Sequence, residues 1–527
     1  MGLVGAATTS FAAVSHASNA APQTFFDVRT FGATGDGKSL DTPAVNAAIE
    51  AAVTAGGGTV IFPAGTYLCF SIRLRSRVHL VLSQGATILA ADSPKPGETT
   101  GYHGSTYDAA ETNAPWEAFQ DFGHNHWHNS LLWGENLTDL SITGPGLIHG
   151  RGLSHGRSTE TLGFPFKAEQ PGVGNKAIAL RNCRNVLFRD LRILKGGHFG
   201  LLLTGVDNLT IDNLLIDTDR DGMDLDCCRN ARVSNCTVNS PWDDGICPKS
   251  SFALGFARST DNLTISNCFV TGTYELGSVL DGTFRRFPPE SKAWRTGRIK
   301  CGTESTGGFR NITISNCVFE GCQGLALESV DGALIEDIAI SNITMRDIVS
   351  APLFFRLGAR LRGPKDATKI GTLRRISVNT LTSSNAGAAI SSIISGIPGG
   401  VIEDLHLANI YLHHAGGTPA TPSPQSLPEL EAAYPEPNMF GPTPSQGLFL
   451  RHARNVALSH IEIAAAAPDP RPSLVLEKVD RVDILALTAP RSDSSPAIAL
   501  RDITDLRVML SRAAKDTILA AVDHQTL

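Results

Sequence analysis

The sequence predicts an all-β solenoid: a single-stranded, right-handed parallel β-helix closed at its N-terminal end by one helix. Three observations point there. A short string recurs as NLTIDNLLI (208–216), NARVSNCTV (230–238), NLTISNCFV (262–270), NITISNCVF (311–319) and IEDIAISNITM (335–345). Within each copy, apolar and polar residues alternate, break at a polar turn centred on Asn, and resume in a second short strand. Each copy is therefore one unit that buries its apolar side only against the next. The chain also has 527 residues, past the roughly 250–300 at which a compact core stops growing, whereas a solenoid core lengthens with each added coil.

The elements follow in chain order. The opening segment, MGLVGAATTSFAAVSHASNA, is small and apolar and ends in Ser18-Asn19-Ala20. That small-x-small pattern is similar to a signal-peptidase site, so 1–20 reads as signal-like and the protein as periplasmic or secreted. Residues 21–527 read as one β-helix domain. In SLDTPAVNAAIEAAVTAGGG, Asp41 and Thr42 are capping residues, Pro43 falls in the first turn, and an alanine-rich body stops at glycines. This helix would close the open end of the solenoid. Weaker repeats at 136–148, 185–193, 401–412, 455–463 and 482–487 carry one core along nearly the whole chain.

Asn213, Asn235, Asn267, Asn316 and Asn342 occupy equivalent places, at spacings of 22, 32, 49 and 26 residues. Stacked Asn side chains hydrogen-bond from turn to turn, so these form a ladder inside one turn, a scaffold feature without chemistry. The shortest spacing is a plain coil. Longer ones carry insertions, which in solenoids gather on the binding face. Large insertions are expected near 271–296 and 413–444, and the second, rich in Pro, Thr and Ser over 417–443, is placed to overhang a cleft. Of ten cysteines, Cys236, Cys268 and Cys317 fall in the repeated Ser-Asn-Cys, where inward thiols explain them as well as disulfides would; their spacing carries no zinc signature.

Composition narrows the partners. With 42% hydrophobic and 18% charged residues the chain is foldable, and no window approaches the ~20 apolar residues of a membrane span, so no membrane partner is expected. The formal charge of -6 supplies no basic field for nucleic acid, and an acidic ligand would need local cations.

The densest carboxylates lie on two neighbouring coils, DTDRDGMDLDCCRNARVSNC and TVNSPWDDGICPKSS. Adjacent coils stack about 4.8 Å apart. Alternation sends Met223 and Leu225 inward and Asp224 and Asp226 outward, with Asp221 at the strand entry; Ile246 and Pro248 face in, Cys247 and Lys249 out. Asp221, Asp243 and Asp244 should therefore meet on one surface. Gathering like charges costs stability, which points to catalysis; a calcium site or solvated turn aspartates are the alternatives.

These residues resemble glycoside hydrolase family 28, the polygalacturonase family, and the likeness runs from FGATGDGKSLDTPAVNAAIEAA to about Arg362. The resemblance implies a pectin lyase-like β-helix and an inverting mechanism needing no metal or cofactor. DRDGMD matches the family's N-T-D motif at Asp221, and DDGICPKS matches its D-D motif at Asp243 and Asp244. By that resemblance Asp243 protonates the leaving oxygen, while Asp221 and Asp244 hold and deprotonate the attacking water. The family's G-H-G and R-I-K motifs are not kept. Gly297-Arg298 stands where the histidine would be, and Ala326 and Glu328 stand in the R-I-K places. Arg298 and Lys300, one coil earlier, would replace the missing cations and bind a uronate; Glu328 would instead suit a neutral sugar.

Further substrate-binding candidates are His198, one coil before Asp221, Trp242 as a stacking face, and Lys249, which would bind substrate or neutralise Asp221. The run His124, His126 and His128 puts three imidazoles on one side if extended, as metal ligands or as subsite and loop residues. Arg356, Arg360 and Arg362 would bind an acidic sugar or decorate the solvent face. The leading expectation is an exo-acting hydrolase of a pectic or related plant glycan, with an oligo- or polysaccharide as partner. A glycosidase for a neutral or unusual terminal sugar, a polysaccharide lyase using calcium, and a non-catalytic glycan-binding β-helix are the competing classes.

Overall fold

The computed structural model describes residues 2, 24–121, 123–154, 170–366, 368–418, 427–490 and 495–527. The signal-like segment 1–20 lies outside them, Gly2 apart. Among the described residues the strands form one 29-stranded and one six-stranded sheet. Coil pairs with coil in parallel, from Phe25–Asp27 on Gly58–Phe62 to Leu474–Leu485 on Ile498–Met509. The architecture is a right-handed parallel β-helix. Its core is continuous: Leu209, Ala231, Leu263, Ile312, Ile338 and Ile376 are successive register partners, all buried. This is the column that the alternating repeats imply.

The Asn ladder is present at the expected turn. Asn267 donates to Asn235 at 3.3 Å, Asn316 to Asn267 at 3.3 Å and Asn342 to Asn316 at 3.1 Å, while Asn213 and Asn235 donate to Asp190 and Asp212. All five are solvent-exposed, with φ of 54–58°. Asn adopts that left-handed conformation most readily among residues with a Cβ, so the turn selects it for backbone shape as well as for stacking. A second ladder runs through the other turn, with Asn208 donating to Asn185, Asn262 to Asn230 and Asn311 to Asn262. All ten cysteines are free and buried; the thiols of Cys236, Cys268 and Cys317 donate to the carbonyls of Ser234, Ser266 and Ser315.

The helix Thr42–Thr54 buries Val45, Ala48, Ile49 and Ala52 on the first coils, an i, i+3, i+4, i+7 stripe that covers the solenoid end. Asp41 does not cap it, contrary to expectation. Its backbone is already helical (φ -90°, ψ -6°) and its carboxylate accepts from the N–H groups of Thr34 at 2.7 Å and Gly35 at 3.1 Å, pinning the preceding turn. At the other end, Thr517–Thr526 folds back antiparallel on Ile498–Met509.

The six-stranded sheet ends on Asp221–Asp226 and Ile246–Lys249, with Asp221 opening the first and Asp243 and Asp244 on the turn that leads into the second. A bridge from Ile246 to Ile299 continues this face into Lys300–Cys301, then Leu325–Ser329 and Leu353–Leu357.

Candidate active site

Asp221 and Asp244 are stacked by the backbone: the N–H of Gly222 donates to the Asp244 carbonyl at 2.9 Å. Gly200, Gly222 and Gly245 make this stacking possible. A Cβ on Gly222 would collide with the Gly245 carbonyl and the Val238 side chain, so only glycine lets the coils close here. Asp243 precedes on the turn, and its carboxylate accepts from the Asp244 N–H at 3.1 Å. The expectation that the three aspartates meet is met. One oxygen each of Asp221 and Asp244 and the Cys247 sulfur lie within 4.8 Å of one another.

Their environments differ. Asp244 is buried, yet Arg298 Nε lies 2.8 Å from its Oδ1 and Lys300 Nζ contacts its Oδ2. Burial works to raise its pKa, but Lys300 and Arg298 outweigh burial and hold the carboxyl well below the usual range. Asp221 has no such contact. Burial, reinforced by the Asp243 charge and opposed by Lys249, pushes it up to about 8. Asp243 is the accessible member, with 22% of its side chain exposed, and pairs with Arg220 at 2.5 Å. Burial thus favours the protonated form of Asp221, whereas Lys300 and Arg298 favour the charged form of Asp244.

Arg298 also reaches Glu436 at 2.6 Å and Glu328 at 3.9 Å. Glu328 is fully buried, neither of its carboxyl oxygens has a hydrogen-bond partner among the described residues, and burial, against the pull of Lys300 and Arg298, pushes it up to about 8. Arg298 and Lys300 therefore flank the aspartates as expected, with Glu328 directly behind them.

A cleft of about 570 Å³ opens over Asp243, lined by Arg220, Trp242, Trp294, Thr296, Gln323, Tyr434, Glu436 and Asn438. Both expected insertions contribute. Trp294 and Thr296 come from the first; Tyr434, Glu436 and Asn438 come from the second, whose described part, 427–444, overhangs the site. Arg356 ties that overhang down by donating to the carbonyls of Glu429 and Leu430, and Tyr434 meets the Thr303 hydroxyl at 2.9 Å.

Beside the aspartates lies a second buried charge cluster. Lys249 Nζ is 3.8 Å from Asp224 and 4.0 Å from Glu304, and His124 Nδ1 contacts Glu304. Lys249 is thus a counter-charge under the coil surface and does not line the cleft; its nearest carboxylate is Asp224, not Asp221. His198 is likewise buried, packed on Phe199 with His124 nearby, and burial lowers its pKa well below the ordinary value. It supports the floor near Asp221 without lining the cleft. Trp242 is mostly buried and meets Phe287 edge to face, but its ring also forms part of the wall.

His124, His126 and His128 take the hydrogen-bonded loop role among the readings offered: each ring has its own partner, Glu304, Asn113 and Glu135 respectively. Arg356, Arg360 and Arg362 neither bind at the cleft nor decorate the surface. Arg356 holds backbone carbonyls, Arg360 pairs with Asp331, and Arg362 pairs with Asp121. A calcium site built on the three aspartates is disfavoured by their partners, since Arg298 and Lys300 occupy Asp244 and Arg220 occupies Asp243. Two other groups bring ligand atoms within 4.8 Å, His124 with His198 and Asp221, and Asp121 with His124 and Glu304; in the second, Arg362 already pairs with Asp121 and His124 with Glu304.

Sequence reasoning missed Arg220, Trp294, Gln323, Tyr434, Glu436 and Asn438. Arg220 adjoins Asp221 and could have been found there; the others sit on insertions or turns outside the repeat.

Residues 25–246 match the family model described as rhamnogalacturonase A/epimerase, pectate lyase-like. A probable polygalacturonase of Vitis vinifera is 23% identical over 416 residues, covering 74% of this chain and 75% of the relative. A mannuronan C5-epimerase of Azotobacter vinelandii is 33% identical over 135 residues, which is 22% of this chain and 14% of the epimerase. The family 28 exopolygalacturonase of Yersinia enterocolitica shares the fold at TM-score 0.62 and 17% identity, over 88% of this chain and 78% of that one. The fold is a right-handed parallel β-helix, and its first half, 25–246, is similar to the pectate lyase-like family model. Across 75% of the Vitis vinifera relative's length the chain is similar to a polygalacturonase, at 23% identity.

Proposed function

We propose that the protein is an exported, inverting glycoside hydrolase that cleaves a pectic or related plant cell-wall glycan from one end. The observation that carries this reading is the division of labour among three stacked carboxyls: Asp243 on the cleft wall, Asp244 held ionised by Lys300 and Arg298, and Asp221 buried and protonated. Inversion needs a proton donor at the leaving oxygen and a base for water on the opposite side of the sugar. Asp243 reaches the cleft and is the donor. Asp244, whose charge is fixed, takes the proton from water, and Asp221 orients that water through its own proton. The overhang at 427–444 supports attack from a chain end, because it covers one side of the cleft.

A second assignment has an observation in its favour: the proton already sits on Asp221, so Asp221 would be the acid and Asp243 a binding group. Aryl glycosides with good leaving groups separate the two, because they need little protonation. The Asp243→Asn variant should lose activity on unactivated oligosaccharides and keep most of it on such aryl glycosides. If Asp221→Asn shows that pattern instead, the roles are exchanged. If no glycoside is hydrolysed at all, the hydrolase reading fails.

A further inference from the structure

We infer that the glycosyl unit held beside Asp243 is neutral, and that Glu436 is the residue that excludes a uronate there. This deepens the glycosidase reading and rests on it. The cleft offers a sugar aromatic faces and amides: Trp294 and Tyr434, each about half exposed (49% and 50%), with Gln323 and Asn438. Exposed rings with amide donors and acceptors suit the apolar face and the hydroxyls of an uncharged sugar.

The cations that line or underlie the cleft are already matched. Arg220 is held by Asp243, Lys300 by Asp244, and Arg298 by Asp244 on one side and Glu436 on the other. The Arg298–Glu436 contact decides the matter. Arg298 Nη2 is the edge of the guanidinium that faces the overhang, and a carboxylate of the protein's own chain occupies it at 2.6 Å. A substrate uronate would have to displace Glu436 or lie beside it as a second like charge. Displacement is costly because the carboxylate is presented in place. Glu436 sits between Pro435 and Pro437 in extended backbone (φ -127°, ψ 144°), so little chain freedom is lost in holding it there. Behind Arg298, Glu328 fills the position nearest the guanidinium on the next coil with another carboxyl. Glu436 stays a quarter exposed, 26% of its side chain, and is available to accept hydrogen bonds from sugar hydroxyls.

The test is equilibrium binding, measured by titration calorimetry on the Asp221→Asn protein, which suppresses turnover in the proposed mechanism and keeps the Arg220–Asp243 pair. The probes are neutral galacto- and rhamno-oligosaccharides and oligogalacturonates of equal length. The neutral series should bind at least tenfold tighter. Glu436→Gln, which frees Arg298, should improve oligogalacturonate binding about tenfold, make it salt-sensitive, and weaken the neutral series. Tighter binding of oligogalacturonate by the parent protein, binding of neither series, or a Glu436→Gln variant with unchanged acid affinity would each overturn the inference. Product formation by the wild-type enzyme on the same panel reports separately on the hydrolase reading: cleavage of oligogalacturonate alone would defeat the neutral-sugar inference and leave the hydrolase standing.

Discussion

The turn that carries the Asn ladder and the face that carries the aspartates are built on the same coils, yet they stack their residues by opposite rules. At the turn, like stacks on like, from Asn235 through Asn267 and Asn316 to Asn342, and each side chain satisfies the one above it. On the face, Asp221 lies on Asp244, Arg298 and Lys300 lie one coil further, and Glu328 follows. Repetition gives small, additive stabilisation. The charged face instead depends on mutual compensation, so removing one member harms the others. The proposed chemistry thus falls on the coils where like does not stack on like.

The largest effect should come from Asp243→Asn. The isostere keeps the turn and an oxygen that can still accept from Arg220, so turnover should fall by about 10²–10⁴ while the thermal midpoint moves far less than for Asp244→Asn. Parallel loss of folding would show that the face is scaffold. Asp244→Asn should lose activity and stability together, since it strands Lys300 and Arg298 in the interior; breaking a buried pair costs about 3–5 kcal/mol, measurable by urea denaturation. A variant as stable as the parent would contradict the compensation argument.

An intermediate effect is expected from pH. The folded-state pKa of Asp221 is about 8 against an ordinary 3.8, so the folded protein binds this proton more tightly than the unfolded chain does. Its contribution to stability is therefore complete below the ordinary value and is lost as pH rises through about 8. Denaturation midpoints should decline over that window, and Asp221→Asn should flatten the decline. In the proposed mechanism kcat/KM should also fall above about pH 8.

The smallest effect belongs to the ladder. Asn267→Gly keeps the left-handed turn and removes two side-chain contacts, for about 1 kcal/mol of stability and unchanged kinetics. Asn267→Ala should cost more, by the roughly 1–2 kcal/mol of left-handed strain.

The same contrast explains what could be read from the sequence. Repeats are local and periodic, so strand alternation and the Asn spacing suffice to reveal the solenoid, and coil stacking alone brings Asp221 to Asp244 and Asp244 to Arg298 and Lys300. Asp41 misled because its carboxylate found nearer donors at Thr34 and Gly35 than at the helix start. The cleft wall was hidden for a different reason. Tyr434 and Glu436 lie on an insertion about 190 residues after Asp243–Asp244, and no periodicity links a loop to the coil it covers. The arginines at 356–362 looked free because their partners, Glu429, Leu430, Asp331 and Asp121, are as distant in sequence or as poorly marked.

Whether the three aspartates work together as an inverting set is decided by the anomeric configuration of the first product, followed by proton NMR during cleavage of a pectic or neutral oligosaccharide. The stacked carboxyls predict a free reducing end released with inverted configuration, and no such release from Asp243→Asn. A retained configuration, or an unsaturated sugar at the new non-reducing end, would contradict them.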